Sequence, residues 1–224
     1  MKNSILVISL MSFIIGFSQQ SKVDEIGFQK KILKKAKAYG DPEITKNTFY
    51  KLIVLEGENS TYKDSLAYLY FSTRKYAPCF MVTQEILKRN PKHKEMLEIQ
   101  AISLESLGAY GKAIEDYKKL FAMTSDNYFG YSLAKLNYNT KKFDEAYSVI
   151  LKTEKLNDTG NYKVTYSINK THTQQIELLA AIQYLKGLIA TELKKKDVAK
   201  ASFQKALSIQ PEFVLAKEKL ENLD

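Results

Sequence analysis

This sequence has almost none of the residues on which chemistry is most often built. Of its 224 residues one is cysteine, two are histidine and none is tryptophan. A single cysteine excludes an internal disulfide. His93 and His172 stand far from each other and from Cys79. A metal centre needs several His, Cys or carboxylate ligands at close spacing, so no metal site is expected. Glycine is scarce too, nine in all, and no Gly-rich phosphate loop, Gly-x-Ser-x-Gly elbow or His-Glu-x-x-His helix occurs. Carboxylate pairs such as Glu95 and Glu98 sit at ordinary helical surface spacing. The chain offers no catalytic constellation and no cofactor motif, and the expectation is a protein that is not an enzyme.

Long apolar runs are also missing, with one exception at the start. Ile5–Phe17 is a continuous stretch dominated by apolar residues, preceded by Lys2 as its only nearby charge and ending in Gly16-Phe17-Ser18. Thirteen residues fall short of the roughly 20 that cross a bilayer. Small residues flanking Phe17 suit a signal peptidase. Residues 1–18 therefore read as a signal peptide, and cleavage before Gln19 would leave 206 residues. No cysteine follows the run, which argues against a lipoprotein. The lysine-poor head and Ser-Gln-Gln end resemble secretory signals of Bacteroidota, which implies a periplasmic or cell-envelope location. No later segment is apolar enough to span a membrane.

What the chain does have is a period. Cys79 to Ala113 is 34 residues, Ala113 to Ala146 is 33, and Ala146 to Ala199 is 53, one period plus 19. Four residues beyond each small residue come Thr83, Tyr117, Ile150 and Phe203. Three further are Ile86, Leu120, Thr153 and Ala206, and such offsets share one helix face. Pro91 and Pro211 follow two of these helices at the same distance, where a proline stops a helix. The preceding helix of each repeat carries a small residue in its middle, Ala67, Ala101, Ala134 or Gly187, which lets two backbones approach. Turns between the two helices fall at Thr73-Arg74-Lys75, Leu107-Gly108-Ala109 and Thr140-Lys141-Lys142. A self-similar period of this length means stacked helix pairs rather than one globular core.

These columns resemble the tetratricopeptide repeat (TPR) family, best at Lys94–Asp126 and Ala180–Pro211. The resemblance implies an all-α, right-handed α-solenoid of antiparallel helix pairs with a C-terminal cap helix. Its divisions are a degenerate pair at 19–59, three repeats at 60–156, an insertion at 157–175, a last repeat at 176–211 and the cap at 212–224. Asn137 and Lys196 depart from the usual residue type. The 19 extra residues contain Asp158-Thr159-Gly160-Asn161, a turn signal. The alternating Tyr162–Ile168 stretch then fits a short strand or hairpin. The other reading extends the last repeat's first helix backward through Thr173–Leu178.

In this family the first helix of each pair lines a concave groove. That implies a partner-binding surface of Tyr68, Phe71, Glu98, Ile102, Tyr128, Tyr131, Lys135, Tyr138 and Tyr184, rich in tyrosine. The positions that clamp a carboxylate in some relatives hold Thr61, Ser65, Glu95 and Ile99, which do not suit that ligand. The expected partner is a protein or peptide, and the role a scaffold or adaptor of the cell envelope. A formal charge of +9 adds a second candidate surface at Lys30, Lys31, Lys34, Lys35 and Lys37. This basic patch suits an anionic envelope glycan or lipid. No nucleic-acid motif accompanies it. A third reading is a self-associating structural protein, because open repeat ends can stack. Cys79 lies in the small-residue column and reads as a buried thiol. His93, in a turn, reads as solvent-exposed.

Overall fold

The computed structural model describes residues 21–157 and 162–223. The apolar run read as a signal peptide and the Asp158–Asn161 turn lie outside the described residues. The helices are α1 (residues 21–38), α2 (Pro42–Glu56), α3 (Tyr62–Ser72), α4 (Tyr76–Arg89) and α5 (Lys94–Ser106). They continue as α6 (Tyr110–Thr124), α7 (Asn127–Asn139), α8 (Phe143–Thr153), α9 (Leu178–Glu192), α10 (Lys196–Ile209) and α11 (Val214–Glu221). Between α8 and α9 come strands β1 (Lys163–Ser167) and β2 (Thr173–Glu177). The fold is all-α, built of antiparallel helix pairs, with α11 at the C-terminal end. The chain divides into two compact units after Ser103, inside α5.

The turns show why the period exists. In five of them the residue just past the first helix of a pair has a positive φ: Gly40, Arg74, Gly108, Lys141 and Lys194. Successive steps are 34, 34, 33 and 53 residues, the spacing of the buried columns. Each is followed by a backbone N–H that reaches five residues back: Asp41 to Ala36, Lys75 to Tyr70, Ala109 to Leu104, Lys142 to Asn137 and Lys195 to Ala190. This is the Schellman closure, which satisfies the last carbonyls of a helix and turns the chain back on itself. Glycine fills the left-handed position at only two of the five turns, so the others hold a side chain in strained backbone. Gly40 also puts the α1–α2 pair in phase with the rest, although its sequence is the most degenerate.

In unit one the core joins Leu33 of α1, Phe49 and Leu52 of α2, Leu66, Ala67 and Tyr70 of α3, Cys79 and Ile86 of α4, and Met96 and Ile99 of α5. Unit two is organised around α9, whose mid-helix Gly187 receives the ring of Phe203 from α10. A Cβ at Gly187 would stand 2.4 Å from that ring. Gly130 does the same on α7, where a Cβ would stand 2.3 Å from Thr153 Oγ1. The buried columns predicted from the period are all inside: Ala67, Ala101 and Ala134, then Cys79, Ala113, Ala146 and Ala199, then Thr83, Tyr117, Ile150 and Phe203. Asn137 is buried as well and donates from Nδ2 to the Leu133 carbonyl, one turn back. At the end of the stack, Phe213 and Ala216 seal α11 onto the core.

The insertion is an antiparallel hairpin, with Val164 opposite Ile176 and Tyr166 opposite Gln174. The alternative of a backward helical extension through Thr173–Leu178 is therefore corrected: 173–177 is strand, and α9 starts at Leu178. The reason is pairing at period two. Ile176 is buried while Gln175 and Glu177 stay exposed, a pattern that a helix could not present to one face.

Candidate binding surfaces

The opening helices of the repeats carry the residues expected to line a groove, and the two units treat them differently. In unit two the hairpin lies over them. Tyr166 of β1 reaches Tyr131 of α7, hydroxyl to hydroxyl, at 2.8 Å. Its ring meets Tyr184 of α9 edge-on, with centroids 5.5 Å apart, and also packs on Phe213. Tyr162, just before β1, stacks on Tyr128 at 5.1 Å. The expectation that Tyr131 and Tyr184 line an open groove is corrected: they are 3% and 4% exposed. A flat aromatic on a helix face is as good a seat for the chain's own insertion as for a partner. Burial pushes both hydroxyls up, each to about 12, and raises Tyr166 further still.

The hairpin is fixed along one edge. Gln210, at the end of α10, donates to the Gln175 carbonyl and accepts from the Glu177 N–H. Gln174 donates to the Glu212 carbonyl and accepts from the Val214 N–H. Gln210 thus supplies β2 with hydrogen bonds that a further strand would otherwise make, and Gln174 ties β2 to the segment between α10 and α11. Lys135 pairs with Glu105 at 2.8 Å, and Tyr138 is half-buried against Phe143. Alternation through Tyr162, Val164, Tyr166 and Ile168 was the one sequence signal that this segment has an inward face.

In unit one the corresponding face is open. Tyr68 of α3 is 47% exposed. Its hydroxyl is held above the usual range, mostly by partial burial and then by Glu95, Asp64 and Glu98. Those carboxylates come from α3 and α5, so two helices converge on one ring. His93 stands between two of them, Nε2 at 3.6 Å from Asp64 and Nδ1 at 3.2 Å from Glu95. It is half-buried, not the free turn residue that its sequence position suggests. Phe71 and Ile102, the other expected residues, are half-buried. Phe71 meets Tyr76 edge-on.

The basic patch splits. Lys30 pairs with Glu56 at 3.3 Å and lies over Tyr62, while Lys37 lies over the Phe49 ring. Lys31 and Lys35 face away from them, with Ile32, Tyr39 and Ile44. Lys34 is exposed. Cys79 is buried, its thiol pushed up by burial, with Sγ 3.5 Å from the Ala67 carbonyl. Such a thiol is a poor nucleophile. Among the described residues no three His, Cys, Asp or Glu side chains are grouped to hold a metal. None of the described helices is long and apolar enough to cross a membrane.

Comparison with known proteins bears on the repeat itself. Residues 180–213 match the tetratricopeptide repeat family. No curated protein matches the sequence. Solved structures of TPR proteins share the fold. One is YrrB, described as a TPR protein with an unusual peptide-binding site, at TM-score 0.66 and 14% identity, covering 84% of this chain and 88% of that one. Another is MamA 41-end from Desulfovibrio magneticus RS-1, at TM-score 0.63 and 13% identity, covering 85% and 97%. A third is a tetratricopeptide repeat protein from Parabacteroides merdae, at TM-score 0.62 and 16% identity, covering 91% and 72%. At such identities the likeness establishes the TPR fold and leaves the choice of partner to this chain's own residues. TPR proteins are in general interaction scaffolds without catalytic activity.

Proposed function

We propose that this chain is a non-enzymatic adaptor that holds an extended, cationic segment of a protein partner against the open face of unit one. The observation that carries the reading is Tyr68: an exposed ring with Asp64, Glu95 and Glu98 around it. Lysine or arginine side chains gain from both the carboxylates and the aromatic face. Phe71 and Ile102, half-buried on the same two helices, supply apolar surface, and His93 stands between Asp64 and Glu95. The unit-two residues Tyr131 and Tyr184 take no part, being buried. The site of action is the cell envelope, a reading that rests on the apolar Ile5–Phe17 run and its flanking residues.

A photoreactive residue at position 68, introduced in cells, tests this. It should crosslink to the same proteins that the intact chain recovers by affinity capture. Capture with the Tyr68→Ala, Glu98→Gln double variant should fall about tenfold or more, the scale of an interface hot spot. Unchanged recovery would remove this face from the account.

A further inference from the structure

The other open surface of unit one is the outer side of the α1–α2 pair, and it differs in kind from the Tyr68 face. Twelve large hydrophobic residues are exposed among the described residues, and six of them fall in α1, α2 and the turn between: Val23, Phe28, Tyr39, Ile44, Tyr50 and Val54. On α1, Phe28 is followed by Lys31, Ile32, Lys35 and Tyr39 at offsets of 3, 4, 7 and 11, which is one helix face. Ile32 and Tyr39 border a shallow depression closed on the far side by Ile44 of α2. A second depression follows along α2 at Lys51, Val54 and Leu55. The result is an apolar stripe between two helices, with lysines on both sides.

The lysines decide what could cover it. Lys31, Lys34 and Lys51 make no ion pair with the described residues, and Lys35 lies only over the Tyr39 ring. Glu25, the acidic residue beside the second depression, is engaged by Gln29 at 2.7 Å. Asp41 is engaged as the N-cap of α2. A second copy of this face would set lysines against lysines over an apolar strip. A surface that is anionic outside and apolar beneath satisfies both features. Lysine stems lie along apolar surface while their ammonium groups reach outward, as they do at membrane interfaces.

We propose that the outer face of the α1–α2 pair docks on an anionic lipid bilayer, with Phe28, Ile32 and Tyr39 entering the headgroup region and Lys31, Lys35 and Lys51 pairing with headgroup phosphates. This surface is distinct from the Tyr68 face, so the two readings stand or fall separately. The chain has no tryptophan, which makes F28W a clean reporter. The full chain carrying F28W is mixed with vesicles of equal parts phosphatidylcholine and phosphatidylglycerol, or of phosphatidylcholine alone. Its emission should move to shorter wavelength with the first and stay in place with the second. In co-sedimentation, K31Q/K35Q/K51Q and F28S/Y39S should each bind the anionic vesicles at least tenfold more weakly than the unsubstituted chain. Raising salt to about 0.5 M should release it. Both variants keep residues 1–20 and should keep the native circular dichroism spectrum. Three results would overturn the proposal. Equal binding by the variants would assign the affinity elsewhere, the Ile5–Phe17 run included. Equal binding to neutral vesicles would remove the lysines from the account. Concentration-dependent dimerisation without vesicles, abolished by F28S/Y39S, would make a second copy the occupant.

Discussion

The same face of the repeat is open in unit one and covered in unit two. Tyr68 and Tyr131 both lie on the first helix of a pair, and both were expected to meet a partner. Tyr68 faces solvent and feels the charge of three carboxylates, whereas Tyr131 meets the hydroxyl of Tyr166 from the hairpin. One helix face is thus open in one place and packed over in another, although the two rings sit one helical turn apart on it, Tyr68 aligning with Lys135 and Tyr131 with Asp64. The cover in unit two is supplied by the 19 inserted residues.

The largest effect that would sharpen this contrast is loss of a covering ring. Tyr166→Ala should cost about 2–3 kcal/mol, below the scale for removing a fully buried aromatic, because Tyr166 is partly buried against the core. Tyr68→Ala should change stability by no more than about 0.5 kcal/mol. Urea unfolding followed by circular dichroism measures both, and similar costs would erase the distinction between the two faces. Glycines carry the next contrast. Gly187→Ala in α9 should cost about 1–3 kcal/mol, because its Cβ would enter the Phe203 ring. Gly27→Ala in α1, where a Cβ meets nothing within 4 Å, should instead stabilise by about 0.5–1 kcal/mol. If Gly187→Ala proves neutral, α9 and α10 are free to move apart.

High pH separates the faces in another way. Tyr131 and Tyr184 ionise near pH 12 in the folded protein, and near the ordinary 10 when unfolded. An unfolded state that releases these protons earlier gains stability from alkali. The contribution of the buried hydroxyls is thus complete below about pH 10 and is lost as pH rises toward 12. The Tyr184→Phe variant should lose stability less steeply over that range, and a slope equal to that of the unsubstituted protein would count against burial as the cause. Tyr68→Phe should alter the slope far less. The smallest effects lie in the turns. Arg74→Gly in unit one, and Lys141→Gly and Lys194→Gly in unit two, should each stabilise by about 0.5–1 kcal/mol, because glycine relieves the positive φ. Being far apart, they should add, and a thermal melt of the triple variant checks the sum.

Much of the fold was legible in the sequence for a physical reason. A buried column must repeat at the spacing of the helix pairs, so Ala113, Ala146 and Ala199 announce it, and Pro91 and Pro211 mark where helices stop. The left-handed turn position carries a glycine only at Gly40 and Gly108, whereas Arg74, Lys141 and Lys194 look like ordinary surface residues. His93 shows the same limit: its partner Asp64 is 29 residues away and one helix over.

Taken alone, the sequence determined the period, the buried columns and the helix pairs. All of these follow from local spacing and composition. It also marked where the period breaks. Only the tertiary structure decided which tyrosines remain available, since an outward-facing ring on a helix does not specify what will be laid over it. That depends on a strand some 35 residues away, on two glutamines that fasten it, and on Phe213 closing behind it.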